Sequence, residues 1–183
     1  ANQTITLSGG LAGAFGLTIN GGGSQTGTVI ISNSTNGTTT TTISGGTLQI
    51  GAGSTTGALG SGDVTDNASL VFDLSGTPSV SNKIVGTGSV KQSLGTLTMT
   101  SSASTYSSGT TVLSGATLQA GADSSGSVTN GPFGTGTVTV NSGATLDLYG
   151  HTIANALNLS GVGVGGTNNS GALTDSSGSG TAS

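Results

Sequence analysis

Short runs of alternating apolar and polar residues recur along nearly the whole chain. In each run the apolar side chains fall on one face and Thr, Gln, Asp or Asn on the other, which is the pattern of a half-buried β-strand. Gly-Gly, Ser-Gly and Asn-Gly pairs between the runs supply turns. No stretch has helical spacing with caps, so we expect almost no helix. The clearest runs lie at residues 4–7, 17–19, 47–50, 70–74, 97–99, 137–140, 145–148 and 157–159.

The shortness of the runs favours a coil of small turns over a two-sheet sandwich. A sandwich core needs large inward side chains, and the chain has only three Phe and two Tyr. In a β-solenoid each turn stacks on the previous one, so small side chains fill a narrow core. About eighteen strand-like runs predict roughly six turns of three strands and a rod on the order of 30 Å long.

Internal repetition supports a solenoid. The sequence ISGGTLQIGA at 43–52 returns as LSGATLQAGA at 113–122, and GSGDVT at 60–65 returns as GTGTVT at 134–139. The separation is about 70 residues. Repeats of this kind are typical of quasi-one-dimensional folds, and the repeat unit is expected to span more than one turn.

Composition leaves two structures open: a disordered low-complexity tract, or a fold built from many small layers. The 183 residues include 33 Thr, 29 Ser and 36 Gly. Polar tracts fail to bury enough apolar surface to fold, but here the 31% of hydrophobic residues are distributed in alternating runs. We therefore expect one ordered solenoid domain over residues 1–165 and a frayed or truncated Ser/Gly-rich tail over 166–183.

Charge excludes several partners. Lys83 and Lys91 are the only basic residues besides one His, and the net charge is −4. Two cations are too few to neutralise phosphates, so we predict no nucleic-acid partner and no anionic membrane surface. No run approaches the ~18 apolar residues of a spanning helix, so direct membrane insertion is not expected. The absence of Cys removes disulfides and thiolate metal sites and is compatible with export.

A longer motif occupies residues 82–122. It reads GTGSVK at 86–91, GTLTM at 95–99, TYSSGTTV at 105–112 and GATLQAG at 115–121. This succession resembles the passenger-associated β-strand repeat of bacterial autotransporters, which has a glycine-rich strand, a GTLTL strand, an NTYTGGTT turn and a GTLQVG strand. Partial copies at 43–65 and 134–148 bring the resemblance to about half of the chain.

The resemblance implies a right-handed parallel β-helix that is exported by the type V route and displayed on the bacterial cell surface. Ser104 stands where the repeat usually has Asn, and Ser107-Ser108 replaces Thr-Gly; these departures concern turns and leave the strands intact. The motif is specific for fold and export. It says little about activity, because such passengers include adhesins, proteases and esterases.

Candidate catalytic chemistry is sparse. His151 is the only His, and a nucleophilic triad would pair it with Asp147 and a nearby Ser. Asp147 alternates with Leu146 and Leu148, so we expect it to face solvent, and no Gly-x-Ser-x-Gly elbow precedes a helix. We favour a surface His in the turn at 149–151.

Asp63 and Asp66 are the closest pair of carboxylates. They invite comparison with the acid/base pair of a sugar-cleaving enzyme or with a Ca²⁺ site. The neighbouring residues include no aromatic platform, no Arg and no calcium-binding β-roll repeat. We interpret both as solvated turn aspartates. The sequence therefore predicts no catalytic, cofactor-binding or metal-ligating residue, no cofactor and no enzyme activity in this segment.

Surface features remain as the candidates for function. Alternating Thr, as at 96–98 and 137–139, predicts outward Thr ladders that resemble ice-binding faces, although Thr is also simply a good exterior strand residue. The glycine-bounded segments 51–62 and 121–136 are the candidate contact loops. Pro132-Phe133 in the second is expected to be either an exposed apolar pair or a plug at a bend.

Three classes of function follow. The leading one is a rigid stalk or adhesin that meets an unidentified host or neighbouring-cell ligand. The second is a fibre subunit, because a strand starts at Thr4 with no cap before it and an uncovered edge favours stacking with copies of the chain. The third, an enzyme, would need a catalytic domain outside this stretch.

Overall fold

The computed structural model describes residues 3–21, 26–165, 172–177 and 181–182. These residues form eighteen short strands and no helix, as predicted. No helix among them has the length and apolarity needed to cross a bilayer. The strands are β1 (Thr4–Leu7), β2 (Gly16–Ile19), β3 (Thr28–Ile31), β4 (Thr40–Ile43), β5 (Thr47–Ser54), β6 (Val64–Asp66), β7 (Ser69–Leu74), β8 (Ser79–Val80), β9 (Ile84–Val85), β10 (Ser89–Met99), β11 (Thr110–Val112), β12 (Ala116–Ala120), β13 (Val138–Val140), β14 (Thr145–Asp147), β15 (Thr152–Ile153), β16 (Leu157–Leu159), β17 (Leu173–Thr174) and β18 (Thr181–Ala182).

Most of these strands stack into three parallel faces. The long face contains β1, β3, β5, β7, β10, β11, β13 and β16 in that order. The N-terminal face contains β2, β4, β6 and β9, and the C-terminal face contains β8, β10, β12, β14 and β17. Thr28 pairs with Thr47 and Thr152 with Thr181, so a turn takes between 19 and 29 residues. The chain is a parallel β-solenoid of about seven turns, which confirms the predicted fold.

The expectation of roughly six turns is one too few, because the turns do not all contain three strands. The strand β10 (Ser89–Met99) runs through a corner and belongs to two faces. The C-terminal face starts only at β8, and the N-terminal face ends at β9. At about 4.8 Å per turn, seven turns give a length of roughly 34 Å.

The alternation seen in the sequence builds the core directly. In β5 and β7, Leu48, Ile50, Leu70 and Phe72 point inward and are at most 1% exposed. Stacked turn on turn, the buried apolar residues of these columns belong to one continuous core. The inward columns of the long face are Ile5, Val29, Leu48, Leu70, Val90, Thr110, Val138 and Leu157, and Leu7, Ile31, Ile50, Phe72, Gln92, Val112, Val140 and Leu159.

The 70-residue echo does not join equivalent places in the coil. Residues 47–50 lie in the long face, whereas their echo at 117–120 lies in the C-terminal face. Residues 64–65 lie in the N-terminal face, and their echo at 138–139 lies in the long face. The echo therefore spans three turns plus one face. One strand motif can serve any face, because every face has to bury the same alternating side chains.

Two asparagines clamp corresponding corners of the coil. Asn82 Nδ2 donates to the first and third carbonyl oxygens of the Gly-Ser-Gly at 60–62, at 2.7 Å each. Asn155 Nδ2 donates in the same way to the Gly-Thr-Gly at 134–136, at 3.1 and 2.9 Å. Each clamp thus joins a corner to the turn before it through a side chain in addition to the strand ladders.

Part of the expected frayed tail is ordered. In place of fraying, Leu173 pairs with Leu146 and Thr174 with Asp147, which extends the C-terminal face by one strand. Thr181–Ala182 pairs with β15. The prediction overlooked these residues because their apolar alternation is only two residues long. The other residues of 166–183 lie outside the described part of the chain.

Candidate functional site

The single His lies beside a carboxylate on the surface near the C-terminal end of the solenoid. His151 Nδ1 lies 3.2 Å from Asp123 Oδ1, and Asp123 Oδ1 also accepts a 2.8 Å hydrogen bond from the Thr152 N–H. The hydrogen bond from Thr152, together with the contact to His151, lowers the pKa of Asp123. The Asp123 side chain is 67% exposed, so solvent screens the pair and it contributes little to folding.

The triad considered from the sequence is not assembled around His151. The residue beside its ring is Asp123, not Asp147. In the described part of the chain, no Ser hydroxyl is recorded in a hydrogen bond with the His151 ring. The turn before it contains Tyr149 and Gly150, both with positive φ, and Tyr149 is 49% exposed. The structure therefore places His151 in a surface turn, the position that the sequence favours.

Asp147 is buried, so the prediction that it faces solvent was wrong. It does lie on the outer side of β14, as the alternation implies, but it is only 6% exposed. Its carboxylate accepts a 3.0 Å hydrogen bond from Gln119 Nε2. It also accepts two from Ser176, one from Oγ at 2.7 Å and one from the backbone N–H at 3.0 Å. Burial opposes ionisation, but these bonds and one from the Tyr149 N–H together lower the pKa of Asp147.

Asp63 and Asp66 do not form a carboxylate pair. Asp63 is exposed just before β6, whereas Asp66 is the last residue of that strand and points into the core with no exposed surface. The interpretation of Asp66 as a solvated turn residue was therefore wrong. The alternation Val64-Thr65-Asp66 was the available signal, because Val64 points inward and the residue two places later must share its face.

Asp66 belongs to a small set of polar groups inside the core. Its Oδ1 accepts a 3.0 Å hydrogen bond from the Ala68 N–H. Burial raises the pKa of Asp66 to about 6, and the Ala68 bond opposes that rise. Tyr106 is also fully buried, with its hydroxyl 2.7 Å from Thr110 Oγ1. Burial raises the pKa of Tyr106, the Thr110 bond opposes the rise and the charge of Asp66 adds to it.

The two candidate loops differ in packing. The segment 51–62 borders a cavity of about 320 Å³, whose wall includes residues 57–61 and the apolar side chains of Ile50, Phe72 and Leu74. In the segment 121–136, Phe133 is fully buried, so it is a plug and not an exposed apolar residue. Ser125 Oγ accepts hydrogen bonds from the N–H groups of residues 129 and 130, which closes the tip of this loop.

Outward Thr side chains form only short ladders. On the C-terminal face Thr96, Thr117 and Thr145 pair in successive turns, but the adjacent outward column changes from Thr98 to Gln119 and then to Asp147. On the long face one outward column reads Thr6, Ile30, Gln49, Val71, Lys91, Thr111, Thr139 and Asn158. No regular two-column array of Thr is present on either of these described faces.

Among the residues that the structure describes, no three His, Cys, Asp or Glu side chains cluster closely enough to bind a metal ion.

No family model, no curated protein and no solved structure matches the chain. The resemblance of residues 82–122 to the passenger repeat therefore rests on the motif itself. Function has to be inferred from that motif together with the geometry of the solenoid.

Proposed function

We propose that this chain is a rigid stalk or adhesive segment of a bacterial autotransporter passenger, displayed outside the cell. The observation that carries the proposal is the unbroken long face, in which eight parallel strands stack from β1 to β16. The resemblance of residues 82–122 to the passenger repeat supports export by the type V route, and these residues cover nearly two turns, from β9 to β12.

The mechanism of a stalk is positional. Hydrogen bonds between strands run along the axis of the coil, and each turn contacts mainly its neighbours, so the rod resists bending and proteolysis. The segments 51–62 and 121–136 place exposed residues on this rod, at 52–56 and within 123–130. Repeated weak contacts through such loops give avidity when many copies line a surface.

Surface display tests the proposal. The chain is fused between an export signal and an outer-membrane translocator barrel, and accessibility to added protease and antibody is measured on intact cells. We expect the chain to appear outside the cell and to resist limited proteolysis. The matched control has residues 82–122 shuffled at constant composition. Equal display of both chains, or retention of the natural one inside the cell, contradicts the proposal.

Exposed apolar side chains on and beside the outermost described strands of the long face support a second candidate, a self-assembling fibre subunit. Ile5 is 58% exposed and borders a cavity of about 400 Å³ together with Ile19 and Val29. At the other end Leu159 is 40% and Val162 56% exposed. If β1 of a second copy stacked on β16, both inward columns of the long face would continue across the junction.

Electron microscopy of the purified chain over a wide concentration range distinguishes the two candidates. Filaments that disappear in Ile5→Lys support the fibre, because a buried charge at the junction is costly. Discrete rods about 34 Å long at every concentration contradict the fibre and agree with the stalk.

A further inference from the structure

The most unusual group in the core is the carboxyl of Asp66. In the N-terminal face it pairs with Ile43, which in turn pairs with Ile19, so it occupies an inward position that is apolar in both preceding turns. The side chain has no exposed surface. Its only recorded hydrogen bond is the one from the Ala68 N–H to Oδ1, and no donor among the described residues reaches Oδ2.

The next turn leaves room for the carboxyl but does not neutralise it. A Cβ on Gly88 would lie 2.3 Å from Asp66 Oδ1 and 2.5 Å from Oδ2, so the glycine backbone packs directly against the carboxyl group. A side chain at position 88 would have displaced it. The fit is therefore specific: an acidic residue points inward, and a residue with no side chain covers it.

No described basic group faces this carboxyl. Strand β4, on one side of β6, has no titratable residue, and β9, on the other side, follows Lys83, whose side chain is exposed. Asp63 on the same segment is exposed as well. The buried Tyr106 does not neutralise it either: the charge of Asp66 raises the pKa of Tyr106, so the phenol stays uncharged at neutral pH and below.

We propose that Asp66 makes the middle of the solenoid pH-sensitive: the turns around it are tight when the carboxyl is protonated and loosen when it ionises. An isolated carboxylate in an apolar core is costly, whereas the neutral acid is tolerated. A segment with this device is stiffest in mildly acidic surroundings. It becomes locally easier to open, and more accessible to protease, near and above neutral pH.

The sign follows from the two protonation states. The pKa of Asp66 is about 6 in the folded chain and 3.8 for the unperturbed group, so between these values the folded state binds more protons than the unfolded state. Stability therefore falls as pH rises through this window. From pH 4.5 to pH 7.5 the unfolding equilibrium constant is expected to rise roughly 25-fold through this one group.

Denaturant unfolding at pH 4.5 and pH 7.5 tests the proposal in three chains. The natural chain is expected to show the roughly 25-fold change. Asp66→Asn, which stays neutral, is expected to lose it and to be the more stable chain at pH 7.5. The matched control Asp63→Asn, exposed three residues earlier, is expected to keep the full change. An Asp66→Asn chain with the natural pH dependence overturns the proposal.

A second measurement needs no variant and remains decisive if Asp66→Asn fails to fold. The carboxyl carbon of Asp66 is titrated by NMR in the natural chain, with the amide exchange of residues 64–68 and 84–88 followed in parallel. We expect a midpoint near 6, and an opening equilibrium at these amides that grows with pH after correction for intrinsic exchange. A midpoint at or below about 4 overturns the proposal.

Discussion

At the scale of single residues, the effect of a polar side chain on stability depends on which groups its hydrogen bonds join. Asn155 is 3% exposed and joins two turns, whereas Asn158 lies three residues later on the outside of β16 and is exposed. The two share side-chain chemistry and differ in environment. Composition alone would therefore assign them the same role, although only one holds the coil together.

We expect Asn155→Asp to be strongly destabilising. The amide donates to the carbonyl oxygens of Gly134 and Gly136, and a carboxylate would replace two attractions with two repulsions in a buried corner. The expected cost is about 4 kcal/mol, against about 2 kcal/mol for Asn155→Ala, which only removes the donors. Chemical denaturation at pH 7 measures both.

The control for this substitution is Asn158→Asp, which introduces the same charge at an exposed site and should change stability by less than about 0.5 kcal/mol. If Asn155→Asp costs no more than Asn155→Ala, the corner is open to water and the clamp has no energetic role. Asn82, which makes the same pair of bonds one repeat earlier, provides an independent copy of the experiment.

The alternation of apolar and polar residues predicted most inward side chains correctly. The burial of two aspartates was missed: a distant segment covers one, and the other points inward. Leu48, Ile50 and Phe72 follow directly from period two. Asp147 does not, because its burial depends on residues far along the chain that fold over it. The inward position of Asp66 could have been predicted, because it lies two residues after Val64 and shares its face of the strand. The general tendency of aspartate to lie on the surface overrode that signal.

At the scale of elements, a polar outer face can hold an additional strand. Thr98 Oγ1 donates to Gln119 Oε1 at 2.8 Å, and Gln119 Nε2 donates to Asp147 Oδ2 at 3.0 Å. Ser176 then donates to the same carboxylate from the other side. This chain of hydrogen bonds runs along the rod axis, and it fixes β17 to the C-terminal face although β17 has only two residues.

We expect Asp147→Ala to release residues 172–177 while the turns before β14 stay folded. The substitution leaves the Ser176 N–H and Oγ–H without their acceptor and breaks the relay from Gln119. Native-state hydrogen exchange should show amides 173–176 opening at least ten-fold more often, since each lost charge-assisted bond is worth about 1.5–3 kcal/mol.

Asp147 also differs from Asp66 in the sign of its pH dependence. Its pKa is lowered, so its contribution to stability is present above about pH 4 and is lost as pH falls through the lowered pKa.

Asp73→Ala is the matched control, because that carboxylate also accepts from a Gln, Gln49, but through a single 3.3 Å contact. It should leave exchange at 173–176 unchanged. Unaltered exchange there in Asp147→Ala as well would show that the backbone pairing of β17 suffices to hold the segment.

At the scale of the whole molecule, the coil is a one-dimensional stack in which one strand motif serves any face and the whole turn sets the register between strands. The sequence predicted strands, parallel stacking and repetition, because each depends on local alternation. Its prediction of roughly six turns was one short of the observed seven or so. The echo between 43–52 and 113–122 joins two different faces, and β10 continues through a corner where the sequence indicates two separate strands, GTGSVK at 86–91 and GTLTM at 95–99.

This construction predicts that a deletion is tolerated when it removes one whole turn. Thr28 pairs with Thr47, so removal of residues 28–46 places β5 on β1 with its inward residues in the same columns: Leu48 next to Ile5, and Ile50 next to Leu7. On the N-terminal face β6 replaces β4 against β2 in the same way. Because neighbouring turns supply most of the contacts, the shortened chain should fold with a somewhat lower unfolding free energy and a rod shorter by about 4.8 Å.

Removal of residues 28–37 alone is the control. It takes out about half a turn, leaves β4 where β3 belongs and misaligns every later column, so that chain should lose its β-sheet circular dichroism and its cooperative melting. Small-angle scattering and thermal unfolding of the two shortened chains measure this difference, and equal behaviour of both would mean that register between faces does not control folding.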